Sequence, residues 1–142
     1  MIYIDSSSLL KILWEEPESD AVRQAVAQEK GVVVSILTEL ETEVQLRARR
    51  LAGATTKTHY QQYRNALRSF RETDPFEFHD LPGAVFRRAI DQHLSEKVLH
   101  CRTLDRLHLA AMAELGLRRL MTNDRKQAAA ARALGLEVIC PG

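Results

Sequence analysis

Short apolar runs alternate with helix-length segments along this chain, and that alternation constrains its fold more than any other feature. The runs cover residues 1–4, 32–35, 76–79, 117–121 and 136–140. Isoleucine, valine or aromatic residues fill most of them and turn or cap residues bound them, which marks them as strands. Between the runs, apolar residues return at helical spacing. Helices are predicted over 9–15, ended by Pro17, and from a Ser19 or Asp20 cap to about 29, closed by Gly31. Further helices are predicted over 36–51, over 56–73 up to the break at Asp74-Pro75, and from beyond Gly83 to about 96. Thr103 caps another that Gly116 ends, and the last runs over 125–134 to Gly135. The inward stripes read as Leu37, Leu40, Val44, Ala48 and Leu51 on the third helix, and Val85, Phe86, Ala89, Ile90 and Leu94 on the fifth. This alternation predicts an α/β fold, a three-layer α/β/α domain with a mostly parallel central sheet. A length of 142 residues fits one domain, 1–142, with a real core.

In an open parallel sheet, ligands bind outside the carboxyl ends of the strands. Asp5 follows the first run and Asp124 the fourth, while Asp105 opens the sixth helix with His108, Leu109 and Met112 on its face. Glu39, Glu41 and Glu43 compete on the third helix. At about 100° per residue, Glu41 shares the face of Leu37, Val44 and Ala48, and the other two point roughly opposite. A carboxylate in such a stripe is costly unless paired or metal-bound. Carboxylates gathered in one crevice repel each other unless a cation neutralises them. Asp5, Glu41, Asp105 and Asp124 therefore point to a hard divalent cation, and oxygen-only ligands suit Mg2+ or Mn2+. Helix capping is the competing reading for the three aspartates, and solvent or an arginine partner for Glu41. Ser6 and Thr122 read as hydrogen-bonding support for the acids or as caps. His108 reads as an internal hydrogen-bonding residue rather than a general base.

Twenty basic and 19 acidic residues leave a net charge of +1, which argues against indiscriminate coating of nucleic acid. A local basic groove remains open to Arg47, Arg49 and Arg50, extended by Lys57, Arg64 and Arg68, with Lys11 facing the acids. Helix-dipole complementation is the competing reading for the arginines. Cys101 and Cys140 form no CxxC pair, so free thiols in a reducing compartment are expected. No apolar run nears the ~20 residues that span a bilayer, and the start lacks the pattern of a secretory signal. A cytoplasmic protein with no membrane contact is the expectation. A phosphoacceptor receiver domain would want an adjacent acidic pair after the first strand. A haloacid-dehalogenase-type phosphatase would want Asp-x-Asp there. Asp5-Ser6-Ser7 supplies neither.

Five segments carry a resemblance. They are Ile4-Asp5-Ser6-Ser7-Ser8-Leu9, Ser35 followed by Glu41, Leu104-Asp105-Arg106-Leu107-His108-Leu109-Ala110, Leu120-Met121-Thr122-Asn123-Asp124, and Ala130-Ala131-Arg132-Ala133-Leu134-Gly135-Leu136. Over nearly its whole length the chain resembles the PIN-domain ribonucleases, specifically the VapC toxins of VapBC toxin–antitoxin pairs. The resemblance implies an acidic quartet at Asp5, Glu41, Asp105 and Asp124, with Glu39 or Glu43 as replacements at the glutamate position. It implies metal-dependent hydrolysis of RNA phosphodiesters, with Asp5, Asp105 and Asp124 as ligands and Glu41 as a water-mediated ligand or the group orienting the nucleophile. It further implies a homodimer and a VapB-like antitoxin covering the groove. A housekeeping RNA-processing nuclease, or a non-catalytic RNA-binding module of the same fold, is the alternative.

Overall fold

The computed structural model describes residues 1–95 and 99–142. Its centre is one sheet of five parallel strands in the order β3-β2-β1-β4-β5, with β1 Ile2–Ile4, β2 Val32–Ser35, β3 Phe76–His79, β4 Arg119–Met121 and β5 Glu137–Ile139. All five predicted strands form. Along β1, alternate side chains leave on opposite faces, and each face carries its own core. Ile2 and Ile4 join Val32, Val34 and Met121 on one side. Tyr3 joins Val33 and Leu120 on the other. Helices therefore cover both faces, as parallel sheets require.

The first face is covered by α1 Ser6–Leu13, α2 Ser19–Ala27 and α4 Lys57–Ser69, with α3 Ile36–Leu51 contributing Leu46. A single 3-10 turn, Phe70–Glu72, ends α4 and carries the Phe70 ring onto Phe76. The second face is covered by α5 Ala84–Leu94, α6 Thr103–Glu114 and α7 Arg125–Ala133. The predicted end of α5 at residue 96 lies outside the described residues. Among the described residues, no helix is long and apolar enough to cross a membrane.

Local signals were mostly read correctly, with three exceptions. Ser19 is not the cap of α2. Its hydroxyl donates to the Trp14 carbonyl and accepts from the Glu16 amide, so it ties α1 to α2 instead. Gly31 does not close α2, which stops at Ala27. A Cβ at residue 31 would lie 2.6 Å from a Glu77 carboxylate oxygen, so a side chain there would displace the end of Glu77. Thr103 is already helical, and Arg102 occupies the cap position of α6 without a side-chain cap bond.

The larger correction concerns two helix faces. On α3 the buried side chains are Thr38, Thr42 and Leu46, while Leu40, Val44, Ala48 and Leu51 are exposed. Thr38 and Thr42 can be buried because their hydroxyls donate to the carbonyls of Ile4 and Thr38. On α5 only Val85 and Ala89 are buried, and Phe86, Ile90 and Leu94 face outward. Both apolar stripes exist, but most of the α3 stripe points away from this chain's own core and the α5 stripe reaches it only through Val85 and Ala89.

Candidate active site

β1 and β4 lie side by side, and the chain leaves them toward opposite halves of the sheet. Such a switch point opens a crevice at the strands' carboxyl ends. Asp5 follows β1 and Asp124 follows β4, so both predicted strand-end acids stand at this crevice. Both also cap helices. Asp5 accepts from the Ser8 amide at the start of α1, and Asp124 from the amides of Lys126 and Gln127 at the start of α7. The capping reading thus holds geometrically for both, without using up their carboxylate oxygens.

Asp5 is 4% exposed and sits in a web of hydroxyls. Ser7 Oγ donates to Oδ1 at 2.6 Å and Thr122 Oγ1 to Oδ2 at 2.5 Å. The same Thr122 hydroxyl accepts from the Asp124 amide at 3.1 Å, so one side chain connects the two acids. Asn123 completes the seam, its amide donating to Ser7 and its side-chain oxygen accepting from Ser8. Burial pushes the Asp5 carboxyl above the usual carboxylate range, and the Ser7 and Thr122 donors oppose it only in part. An acid held this way is relieved by a cation.

Asp105, in the first turn of α6, meets Arg102 at 3.3 Å, and the same guanidinium reaches Asp124 at 4.0 Å. Gln127 ties the two elements together, donating from Nε2 to the Asp105 carbonyl at 3.0 Å. The three glutamates of α3 separate as helical geometry requires. Glu39 pairs with Arg71 and Glu43 with Arg64. Glu41 turns to the site, accepting from Ser6 Oγ at 3.4 Å and bonding His108 Nε2. His108, 2% exposed, bonds through Nδ1 to the Tyr3 hydroxyl at 2.7 Å.

Thr122 thus joins Asp5 to Asp124, Arg102 meets both Asp105 and Asp124, and Glu41 accepts from Ser6, the residue after Asp5; of the predicted supports, Ser6 contacts Glu41 and Thr122 contacts Asp5. Ser7, Asn123 and Tyr3 were missed. The triple serine after Asp5 was a signal for the first of them, but it fits helix capping equally well. Among the described residues, no three carboxylate, imidazole or thiol groups converge closely enough to enclose a metal as they stand. The donor chemistry still fits a hard cation. The aspartates offer only oxygens, one of them is buried at a cost, and the other two already draw in a guanidinium. Of the predicted basic residues, Lys11 is engaged by Glu16 and Glu18 at 2.9 and 3.0 Å. The Arg50 guanidinium lies over the Tyr60 ring, and Arg47 stands exposed on the apolar stripe of α3.

The PIN domain model matches residues 2–133. Ribonuclease VapC46 of Mycobacterium tuberculosis is 32% identical over 146 residues, covering 99% of this chain and 97% of that protein. Ribonuclease VapC35 of the same species is 30% identical over 148 residues, covering 100% and 98%. The crystal structure of Mycobacterium tuberculosis VapC20, described as a Sarcin-Ricin loop cleaving toxin, superposes with a TM-score of 0.70 at 16% identity, over 92% of this chain and 95% of that one. The VapBC2 structure from Rickettsia felis, bound to a DNA fragment from its promoter, gives 0.68 at 17% identity, over 98% of each chain.

Proposed function

Because the chain belongs to the PIN-domain family, with VapC ribonucleases as relatives along its full length, we propose that it is a metal-dependent endoribonuclease and the toxin of a toxin–antitoxin pair. The observation that carries the catalytic reading is the buried Asp5 carboxylate, joined through Thr122 to Asp124 at the switch point of the sheet. Asp5, Asp105 and Asp124 would hold Mg2+ or Mn2+, which would supply charge neutralisation at the phosphoryl group and acidify the nucleophilic water. The protein's own residues supply position. Ser7 and Thr122 fix the Asp5 oxygens, and Gln127 holds the start of α6 against α7. Glu41, steadied by Ser6, accepts a hydrogen bond from the attacking water and takes its proton as the oxygen–phosphorus bond forms and a ribose oxygen leaves.

The whole chain is one PIN domain in this reading. It acts in the cytoplasm, where Cys101 and Cys140 stay free. A second copy covers the apolar stripes of Leu40 and Val44 on α3 and Phe86, Ile90 and Leu94 on α5. A VapB-like antitoxin covers the acidic crevice. Arg47 and Arg50 meet RNA phosphates beyond it, whereas Lys11 is already engaged by acids.

Cleavage of total RNA by the purified protein tests the catalytic reading. Cuts are expected with Mg2+ or Mn2+, none with EDTA, and a loss of at least about 100-fold in Asp5→Asn, whose amide is nearly isosteric and needs only the Thr122 hydroxyl to reorient. Full activity in that variant would remove Asp5 from the chemistry. A small antitoxin reading frame beside the gene would favour the toxin over a housekeeping nuclease.

A further inference from the structure

Behind Glu41 lies a buried chain of polar side chains that the reaction, as described, does not use. It runs from the Glu41 carboxylate to His108 Nε2, and from His108 Nδ1 to the Tyr3 hydroxyl at 2.7 Å. It continues from Tyr3 to Ser35 Oγ at 2.7 Å and on to Thr38, whose hydroxyl donates to the Ile4 carbonyl at 3.0 Å. Tyr3, Ser35 and Thr38 are fully buried. The chain draws on β1, β2, α3 and α6, the same elements that carry Asp5, Glu41 and Asp105. Buried polar groups of this kind are costly unless every member is paired, and here each one is.

Hydrogens can be assigned along the whole chain without leaving a member unpaired. The Thr38 hydroxyl donates to the Ile4 oxygen and also lies 3.4 Å from the Tyr3 hydroxyl. The Thr38 amide donates to Ser35 Oγ, whose own hydrogen can point at Tyr3. The Tyr3 hydrogen can then fall on His108 Nδ1. With Nδ1 accepting, a neutral imidazole must carry its hydrogen on Nε2, facing Glu41. In an imidazolium both nitrogens donate and the Tyr3 hydroxyl turns to Ser35, so Nε2–H still faces Glu41. In either state Nε2–H faces the carboxylate, which can only accept, and a phenol donating to Nδ1 supports the same tautomer. The partner on the far nitrogen of a histidine commonly sets its tautomer and orientation in this way.

We propose that His108 and Tyr3 are positioning residues for the nuclease reaction. The Tyr3 phenol fixes the imidazole with Nε2–H toward the site, and that N–H holds the Glu41 carboxylate in the orientation that meets the attacking water. This rests on the reading of Glu41 as a catalytic group. The aligned edge-to-face contact of the two rings, with centroids 5.7 Å apart, adds a second restraint on the imidazole plane. Other members of α3 are steadied by arginines at the surface, but Glu41 is steadied from inside the core. A core contact leaves the carboxylate one free oxygen and little rotational freedom, which is what orienting a water requires.

Three variants and one spectrum test this. His108→Gln keeps an N–H near the Nε2 position, whereas His108→Asn shortens it. Tyr3→Phe keeps the ring and removes the hydroxyl. Total-RNA cleavage with Mn2+ should fall about 10–100-fold in His108→Asn and in Tyr3→Phe, with His108→Gln recovering most of the rate. Thermal melting of each variant identifies any that fails to fold. Long-range 1H–15N spectra of the wild type, recorded with EDTA, should show the hydrogen on Nε2, and Tyr3→Phe should show a mixture of tautomers. A wild-type imidazole bare at Nε2, or equal rates in His108→Asn, His108→Gln and wild type, would overturn the proposal. Glu41→Gln separates the two levels. Full activity in that variant fells the catalytic reading of Glu41 itself, while a crippled Glu41→Gln beside a fully active, folded His108→Asn fells only the positioning role.

Discussion

At the scale of single residues, function and stability pull Asp5 in opposite directions. Its folded-state pKa is raised above the ordinary 3.8 because burial disfavours the charge. An acid raised on folding contributes stability fully below its unfolded pKa and loses that contribution as pH climbs through the folded value. The metal-free protein should therefore be penalised at neutral pH relative to Asp5→Asn, whose side chain never ionises. Melting curves in EDTA should show the variant gaining on the wild type between acidic and neutral pH. A gap that stays constant with pH would mean the hydroxyl web fully compensates the buried charge. The acids were legible in the sequence because their places, after a strand or on one face of a helix, follow from elementary geometry. The 100° turn of a helix sets Glu41 apart from Glu39 and Glu43, which pair with Arg71 and Arg64, but the stripe of Val44 and Ala48 that marked Glu41 as inward is exposed. Of the hydroxyls around Asp5, Thr122 was singled out, as support or as a cap, and Ser7 and Ser8 were not. Their sequence signatures are identical to those of helix caps, and only the pairing of β1 with β4 tells a cap from a web that joins two acids.

Whole elements were legible as elements, and misread as faces. The spacing that marked Leu40, Val44 and Leu51 as a stripe on α3 was real, but periodicity reports that a helix has an apolar side without saying what covers it. What went unrecognised was the opposite side, where two threonines lie buried because each satisfies its hydroxyl on a carbonyl. Stability measurements separate the two faces. Leu46→Ala should cost about 2–5 kcal/mol, as large-to-small core substitutions do. Leu40→Ala should stay within about 0.5 kcal/mol in the dissociated protein. If a second copy covers α3 and α5, light scattering should give twice the chain mass for the wild type, and Leu40→Asp combined with Phe86→Asp should halve it without lowering the melting temperature of the monomer. A wild-type mass equal to one chain would leave those stripes for another partner.

For the molecule as a whole, near-neutral charge means that any attraction to RNA is a matter of arrangement rather than total. Net charge is only +1, and most described cations near α3 are engaged: Arg49 by Glu16 and the Trp14 ring, Arg64 by Glu43, Lys11 by two glutamates. Arg47 and Arg50 have no such carboxylate partner among the described residues. In the inactive Asp5→Asn background, Arg47→Gln with Arg50→Gln should reduce the slope of log affinity for single-stranded RNA against log salt by about 1–2. An unchanged slope would take both off the RNA surface. The burial of Asp5 also has a population-genetic consequence. If Asp5 holds the metal as proposed, one codon change at residue 5 would silence the enzyme while removing a buried charge, and so leave a well-folded product. Such alleles would persist as abundant, intact proteins that still engage whatever protein partners the active form has. They would dilute the active copies in the same cell, and sequence surveys that score only chain integrity would count them as functional.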